Sequence, residues 1–490
     1  MPLDPKACYR AVVARDARFD GVFFVGVRTT GIYCRPVCRA KTPGADRCSY
    51  FSHAALAERA GFRACFRCRP ERAPGNGTDD LVSRMVAAAV ARIEAGALQE
   101  SSLEELSREL GVTSRHLRRC MQDELGVSPI ELSLTRRLAL ARELLHGTSL
   151  SMTEVAFASG FGSVRRFNDA FRTRHGRTPT DLRRTARVPN DGHAASSVRV
   201  LLGYRAPFDW ESLKAFLAAR AVAGVEAVVD DSYVRTVRIG ERRGWISVRP
   251  SRERALALSL EVAPSLLPVL MAVVAKTRRL FDLDARPSAI DKHLAVDPRL
   301  AHLVKERPGL RVPGAFEPFE TAMAAVLGQQ VTVGAGVTLA SRLVAALGDD
   351  VDTAFPTVNR LWPTADRVAS ANEATLAKLG MPGARARSLA AVARAVVDGR
   401  LDLTRPLSPG ALEESLLAIA GIGPWTAQYI LMRAAAWPDA FPVGDVALAK
   451  ALGMRDSTWR ADTARAAEAW RPWRSYATLH LWTSLTGAPS

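Results

Sequence analysis

Long apolar runs are missing from this 490-residue chain. No stretch approaches the roughly 20 apolar residues a helix needs to cross a bilayer, and no apolar segment follows a basic start. Neither a membrane span nor a secretory leader is therefore expected, and the sequence reads as cytoplasmic. Cysteine is scarce and odd in number: seven, five of them between Cys34 and Cys68. That rules against a disulfide-stapled secreted fold, and in a reducing compartment such clustering speaks for a metal. Acidic residues are outnumbered, 50 Asp and Glu against 67 Lys and Arg, for a formal net charge of +17. A polyanionic partner is implied. From Met1 to Asn190, 31 basic against 20 acidic residues give a net +11, and the remainder, 36 against 30, a net +6. Lysine is almost absent from the first segment; arginine, which takes its place, suits bidentate contacts to phosphate and guanine.

A chain of this length holds about three to four domains. In the first, Cys34 and Cys38 form one close pair and Cys65 and Cys68 another, with 26 residues between the pairs. Two close pairs joined by a longer loop can wrap a tetrahedral zinc ion. Arg28, Arg35, Arg39, Lys41, Arg47, Arg63, Arg67 and Arg69 surround them. Spacing alone leaves open whether such a site only holds the fold. Cys8, Cys48 and Cys120 stand outside the pattern and read as packing residues.

After Gly75-Asn76-Gly77 the pattern turns helical and repeats: LEELSRELGVTSRHLRRCMQDELGVSP is echoed by MTEVAFASGFGSVRRFNDAFRTRHGRTP. Gly126 matches Gly176 and Pro129 matches Pro179, both at an offset of 50. Each copy has an apolar helix, a glycine-containing turn and a second helix showing cations, the plan of a helix-turn-helix unit. Arg115, Arg118 and Arg119, beside His116, occupy the first predicted recognition helix; Arg165, Arg166 and Asn168 occupy the second. Thr180 to Ser197 reads as a linker.

From Ser197 to about Leu283 the pattern predicts strand, helix, three strands and helix: Val198–Arg205, Trp210–Ala221, Val228–Ile239, Trp245–Arg249, Leu256–Val262 and Leu266–Phe281, with a turn at Glu241–Gly244. Nothing in it looks catalytic. From Pro287 the chain reads as helical to its end. There, Gly421-Ile422-Gly423-Pro424 forms a tight turn ahead of a helix, a setting whose free N–H groups suit a phosphate. Asp445 follows about twenty residues later. The late tryptophans Trp470 and Trp473 read as structural.

These stretches resemble known families. RTTGIYCRPVCRAKTP with GFRACFRCRP, and ARDARFDGVFFVGV ahead of them, resembles the N-terminal domain of the Ada methylphosphotriester repair proteins. The resemblance implies one Zn²⁺ held by Cys34, Cys38, Cys65 and Cys68, with Cys34 also the methyl acceptor. The duplicated unit resembles the AraC-type transcriptional activators. The Gly-Ile-Gly turn, Trp425-Thr426-Ala427 and Asp445 resemble the helix-hairpin-helix DNA glycosylases of the AlkA type. That implies Asp445 as the catalytic carboxylate, Trp425, Tyr429 and Trp482 as the pocket for a flipped base, and Gly421 and Gly423 as phosphate ligands, with a monovalent cation at the hairpin. The wedge that fills the gap behind a flipped base falls on Gln330, an amide where the family has an apolar residue. The Schiff-base lysine of bifunctional glycosylases falls on Trp425, so a monofunctional hydrolase is expected. No Pro-Cys-His-Arg sequence, the site for methyl transfer from alkylated guanine, occurs.

The expected fold is thus multidomain and mainly α with α/β parts: a zinc domain (1–75), a double helix-turn-helix domain (79–187), an AlkA-like α/β domain (197–285) and a helix-hairpin-helix domain (286–490). The expected partners are double-stranded DNA carrying alkylated bases or methylphosphotriesters, promoter DNA and RNA polymerase. The protein is expected to be monomeric, nucleoid-associated and without membrane contact. A regulator whose C-terminal half only binds DNA is the alternative; the presence of Asp445 and its aromatic set favours the enzyme.

Overall fold

A computed structural model describes residues 3–74, 84–185, 197–404 and 408–485. The Gly75-Asn76-Gly77 linker lies outside these residues. The first unit is built on a four-stranded sheet of order β3-β1-β2-β4, with β1 Phe24–Val27, β2 Ile32–Cys34, β3 Cys48–Phe51 and β4 Arg63–Ala64. Strands β2 and β4 pair in parallel, Tyr33 opposite Ala64. That pairing sets Cys34, the last residue of β2, beside Cys65, the first residue after β4.

Five helices carry the repeated unit: Leu103–Glu109, Ser114–Leu125, the 19-residue Pro129–Gly147, Met152–Ala158 and Val164–His175. The duplication extends to the caps. Ser102 with Glu105 and Ser151 with Glu154 both make reciprocal capping boxes, which satisfy helix-start N–H groups and each add about 1 kcal/mol. Gly126 and Gly176 end the two second helices in left-handed conformation, at φ 72° and 67°. A helix Pro179–Thr185, begun by Thr178 and Asp181, takes in the start of the stretch expected to be a linker; residues 186–196 lie outside the described residues.

The next unit is a five-stranded antiparallel sheet of order β5-β9-β8-β7-β6: β5 Val198–Gly203, β6 Glu226–Val229, β7 Ser232–Ile239, β8 Arg242–Pro250 and β9 Ala257–Val262. The single strand expected over Val228–Ile239 is a hairpin. Asp230 turns the chain at φ 53° between β6 and β7, as a short polar side chain tolerates. The following turn sits at Gly240–Glu241, two residues before the expected place, because β8 already resumes at Arg242. Leu266–Phe281 divides into a 3₁₀ turn Pro264–Val269, where Pro268 interrupts α-helical bonding, and a helix Leu270–Leu280.

The described residues of the rest pack as helices around one large apolar core, together with a short two-stranded ladder, Asp349–Asp350 with Arg360–Leu361, in a region expected to be helical throughout. Trp470 is fully buried and donates its indole N–H to Asp297 at 2.7 Å; Trp473 is buried as well. Both lie in the helical core.

Candidate functional site

The Sγ atoms of Cys34, Cys38, Cys65 and Cys68 all lie within 4.8 Å of one another. Tetrahedral zinc with Zn–S bonds of about 2.3 Å needs sulfurs about 3.8 Å apart, so this donor set fits one Zn²⁺. Hydrogen bonds with Cys34, Cys38 and Cys68 draw the Cys65 thiol pKa down, while those of Cys34 with Cys38, Cys65 and Cys68 push Cys34 up. Four crowded sulfurs share their protons in this way until a dication displaces them. Of the surrounding cations, Arg28, Arg39, Lys41, Arg47, Arg63 and Arg67 are exposed. Arg35 and Arg69 are not: Arg35 is buried against Asp20, with Nε 2.7 Å from Oδ1, and Arg69 pairs with Glu71 and Glu143. Cys8 is buried, in keeping with a packing role, and Cys48 donates weakly to the Gly44 carbonyl. Cys120 lies 3.4 Å from the His116 ring.

On the helices Ser114–Leu125 and Val164–His175, Leu117, Met121, Phe167 and Phe171 face the core. Arg115, Arg118, Arg119, Arg165, Arg166 and Asn168 are exposed on the opposite faces.

At the hairpin, Gly421 adopts φ 87°, and a Cβ there would lie 1.8 Å from the Ser388 hydroxyl. Gly423 caps the helix Pro424–Arg433. The loop bearing Gln330 is tied to this turn: the Gln329 amide donates to the Gly421 carbonyl and to Thr426 Oγ1, each at 3.0 Å, and Arg385 donates to the Gln329 carbonyl. Gln330 itself is exposed at φ 55°, a left-handed conformation that costs a non-glycine residue about 1 kcal/mol or more. Of the two glutamines, Gln329 fastens the loop and Gln330 is the residue displayed.

Asp445 is only 8 % exposed and caps the helix Val446–Ala451. Its Oδ1 accepts the Leu448 N–H at 2.9 Å and the Trp482 indole N–H at 3.3 Å; its Oδ2 accepts the Trp425 indole N–H at 2.8 Å. Trp425 stacks on Tyr429 with ring centres 5.3 Å apart and planes 14° from parallel, and Trp482 closes on Tyr429 at 6.2 Å. Two helices and one helix start thus bring the carboxylate and three aromatic rings to one place.

Four family models match the chain: the metal-binding domain of Ada over residues 7–71, a helix-turn-helix domain over 106–185, the AlkA N-terminal domain over 199–317, and the HhH-GPD superfamily of base excision DNA repair proteins over 323–475. A probable bifunctional transcriptional activator/DNA repair enzyme AlkA of Mycobacterium tuberculosis is 41% identical over 487 residues, covering 98% of this chain and 97% of its own. The chain belongs to this bifunctional activator/DNA repair family. Parts of it are similar to shorter proteins. The DNA-3-methyladenine glycosylase 2 of Escherichia coli is 38% identical over 282 residues, 57% of this chain and 95% of its own. The Ada activator/repair enzyme of the same organism is 34% identical over 155 residues, 31% and 42%. In fold, the C-terminal half matches a solved 3-methyladenine DNA-glycosylase from Archaeoglobus fulgidus with a TM-score of 0.50, 18% identity and coverage of 59% and 99%.

Within this bifunctional chain the α/β domain, expected to be catalytically silent, reaches the aromatic site. Phe216, on the helix Trp210–Ala218, lies under two guanidiniums: Arg220 at 3.6 Å and Arg433 at 4.7 Å from its ring centre. Arg433 also donates to the Tyr429 hydroxyl at 3.1 Å. Burial would raise the Tyr429 pKa, but the charges of Arg433 and Arg220 outweigh it and hold the pKa below its usual value. Two arginines thus stand behind the hydroxyl of Tyr429, one of the three rings expected to form the pocket. No sequence motif marks Phe216 or Arg220. Their only signal is an aromatic and an arginine four residues apart on a predicted amphipathic segment, more than two hundred residues before Asp445.

Proposed function

We propose that this protein removes alkylated bases such as 3-methyladenine from DNA by hydrolysing the N-glycosidic bond, and that its N-terminal zinc-thiolate cluster takes the methyl group of a DNA methylphosphotriester. The observation that carries the first activity is the Asp445 carboxylate, buried and held by two indoles beside a stacked aromatic pair. In this reading a flipped nucleotide places its base against Trp425, Tyr429 and Trp482, whose ring faces attract a cationic purine. The C1′–N bond breaks, the base leaves with the electron pair, and positive charge grows on the sugar. Asp445, already fixed by three donors, stabilises that charge without reorganising. Water adds to C1′ and its proton passes to the carboxylate or to solvent. Alkylation makes the base a good leaving group, so no strong general acid is needed. Gly421 and Gly423 would hold DNA phosphate, together with a monovalent cation, and Gln330 would enter the gap left by the flipped base. An Asp445→Asn comparison for release of free 3-methyladenine tests this reading. A borohydride-trapped adduct with the unaltered protein would overturn the monofunctional assignment.

At the cluster, Zn²⁺ would keep the sulfurs as thiolates at neutral pH. Cys34 Sγ forms a bond to the methyl carbon as the O–CH₃ bond breaks, leaving a phosphodiester anion and a thioether that is not readily reversed. As an activator the chain would bind promoter DNA through Arg115, Arg118, Arg119, Arg165, Arg166 and Asn168, and engage RNA polymerase as a nucleoid-associated monomer. Among the described residues no helix is long and apolar enough to cross a membrane. The alternative of a DNA-binding regulator without excision loses support from the complete set around Asp445.

A further inference from the structure

The activator half and the glycosylase half share a core. One apolar cluster holds Leu144, Val155 and Phe161 from the helix-turn-helix side together with Val200, Leu266 and Leu270 from the α/β side. The helix Met152–Ala158 packs against the turn Pro264–Val269, and the helix Pro129–Gly147 against β5. Beads on a string would leave both faces wet, and exposed apolar patches of that size are uncommon on independent domains.

A polar bridge runs beside this core to the cysteine cluster. Arg205, which follows β5, is 1 % exposed. Its Nε donates to the Asp20 carbonyl of the zinc module at 3.0 Å, and its Nη1 to the Asp284 carbonyl at 2.8 Å. Arg311, equally buried, donates to the Arg205 carbonyl at 2.7 Å. A buried guanidinium is costly unless such acceptors meet it. The seam is tight: a Cβ on Gly21 would stand 2.0 Å from the Pro74 carbonyl oxygen and 3.2 Å from the Arg205 guanidinium. The Asp20 side chain continues the path. It pairs with Arg35, whose backbone N–H donates to Cys68 Sγ at 3.4 Å and whose Nη1 donates to the Cys68 carbonyl at 3.3 Å. Neither proposed activity uses Arg205, Asp20 or Arg35.

We propose that the glycosylase half is the docking partner of the zinc module, with Arg205 as the pivot, so that metal held by the four cysteines stabilises the glycosylase half. The inference rests on the zinc reading of the cluster. Removing the metal frees Cys68 and with it Arg35; the Asp20–Gly21 turn then loses its anchor, and Arg205 the Asp20 carbonyl, its acceptor in the zinc module. By linkage, a sound glycosylase half must in turn favour metal retention.

The distribution of tryptophan makes the test direct. All nine tryptophans lie between Trp210 and Trp482, so every indole that reports unfolding belongs to the glycosylase half and none to the zinc module. Zinc content of the purified full-length protein, measured first by elemental analysis, tests the metal reading by itself. Thermal unfolding is then followed by tryptophan emission before and after zinc is stripped with a chelator, the four freed thiols being counted by thiol titration. The expected result is a midpoint lower by about 2–4 °C after stripping, as loss of roughly 1 kcal/mol implies for a unit of this size. Arg205→Ala should lower the zinc-loaded midpoint and abolish the response to chelator, while Arg205→Lys keeps part of it. An unchanged midpoint in stripped unaltered protein, a measurement that needs no variant, overturns the proposal. So does a full response that survives in Arg205→Ala.

Discussion

The indole N–H of Trp425 meets Oδ2 of Asp445 at 2.8 Å, so the residue that stacks on Tyr429 also aims the carboxylate. Trp425→Phe keeps a ring for stacking and deletes the donor. A hydrogen bond to a charged acceptor is worth about 1.5–3 kcal/mol, so single-turnover excision should slow by roughly 10- to 100-fold. Affinity for abasic DNA should stay within about twofold. Unchanged excision would show that Leu448 and Trp482 suffice to orient Asp445.

Gly421→Ala should weaken DNA binding and stability together. The new Cβ meets the Ser388 hydroxyl, and φ 87° is strained for any residue with a side chain, at about 1–2 kcal/mol for the backbone alone. Adding Ser388→Gly removes the clash and leaves the backbone cost, so the double variant should recover only part of the melting temperature. Complete recovery would mean that the clash alone was responsible.

Asp282 gives a pH dependence. Burial raises its carboxyl pKa to about 7, against the opposing pull of Arg311 and the Tyr476 hydroxyl, which donates to it at 2.7 Å. The native state therefore holds a proton that the unfolded chain loses near pH 4. This group's contribution is fully present below about pH 4 and is lost as pH rises to about 7. Relative to the unaltered protein, Asp282→Asn should gain stability over that window and show no further change above it. Parallel melting curves from pH 4 to 7 would contradict this.

Methylating Cys34 turns one thiolate into a thioether and moves a four-thiolate zinc cluster from a formal charge of about −2 to about −1. With a phosphate about 8 Å away and an effective dielectric of about 20, the change is worth roughly 2 kcal/mol before salt screening. Protein that has reacted with methylphosphotriester DNA should bind promoter DNA more tightly at fixed salt. Cys34→Ala should neither accept the methyl group nor show the change. Equal affinities before and after reaction would remove the switch.

Features carried by local spacing were legible in the sequence. The cysteine pairs, the duplicated helix pair with its Gly126 and Gly176, Gly421 and Asp445 each announce a local geometry, and the fold supplies it. What escaped depends on distant contacts. Phe216 and Arg220 join the aromatic site only because the α/β domain packs against the helical one. Arg205 looks like any surface arginine until Asp20 and Asp284 close over it. Gln329 and Gln330 are neighbours of one type, and only the turn at Gly421 decides which is bound and which is displayed. The hairpin at Asp230 was missed because strand-forming residues on both sides, Val228-Val229 and Tyr233-Val234, flank a polar turn that no glycine or proline marks.

The central claim is that Asp445 does the chemistry of base release while other contacts hold the DNA. Its most direct test is the rate of free 3-methyladenine release from methylated DNA by the unaltered protein and by Asp445→Asn, with abasic-DNA affinity measured on the same samples. The account predicts release by the former, none above background by the latter, and affinities within about threefold, since affinity rests on phosphate contacts. Equal release by both proteins, or binding lost in step with activity, would contradict it.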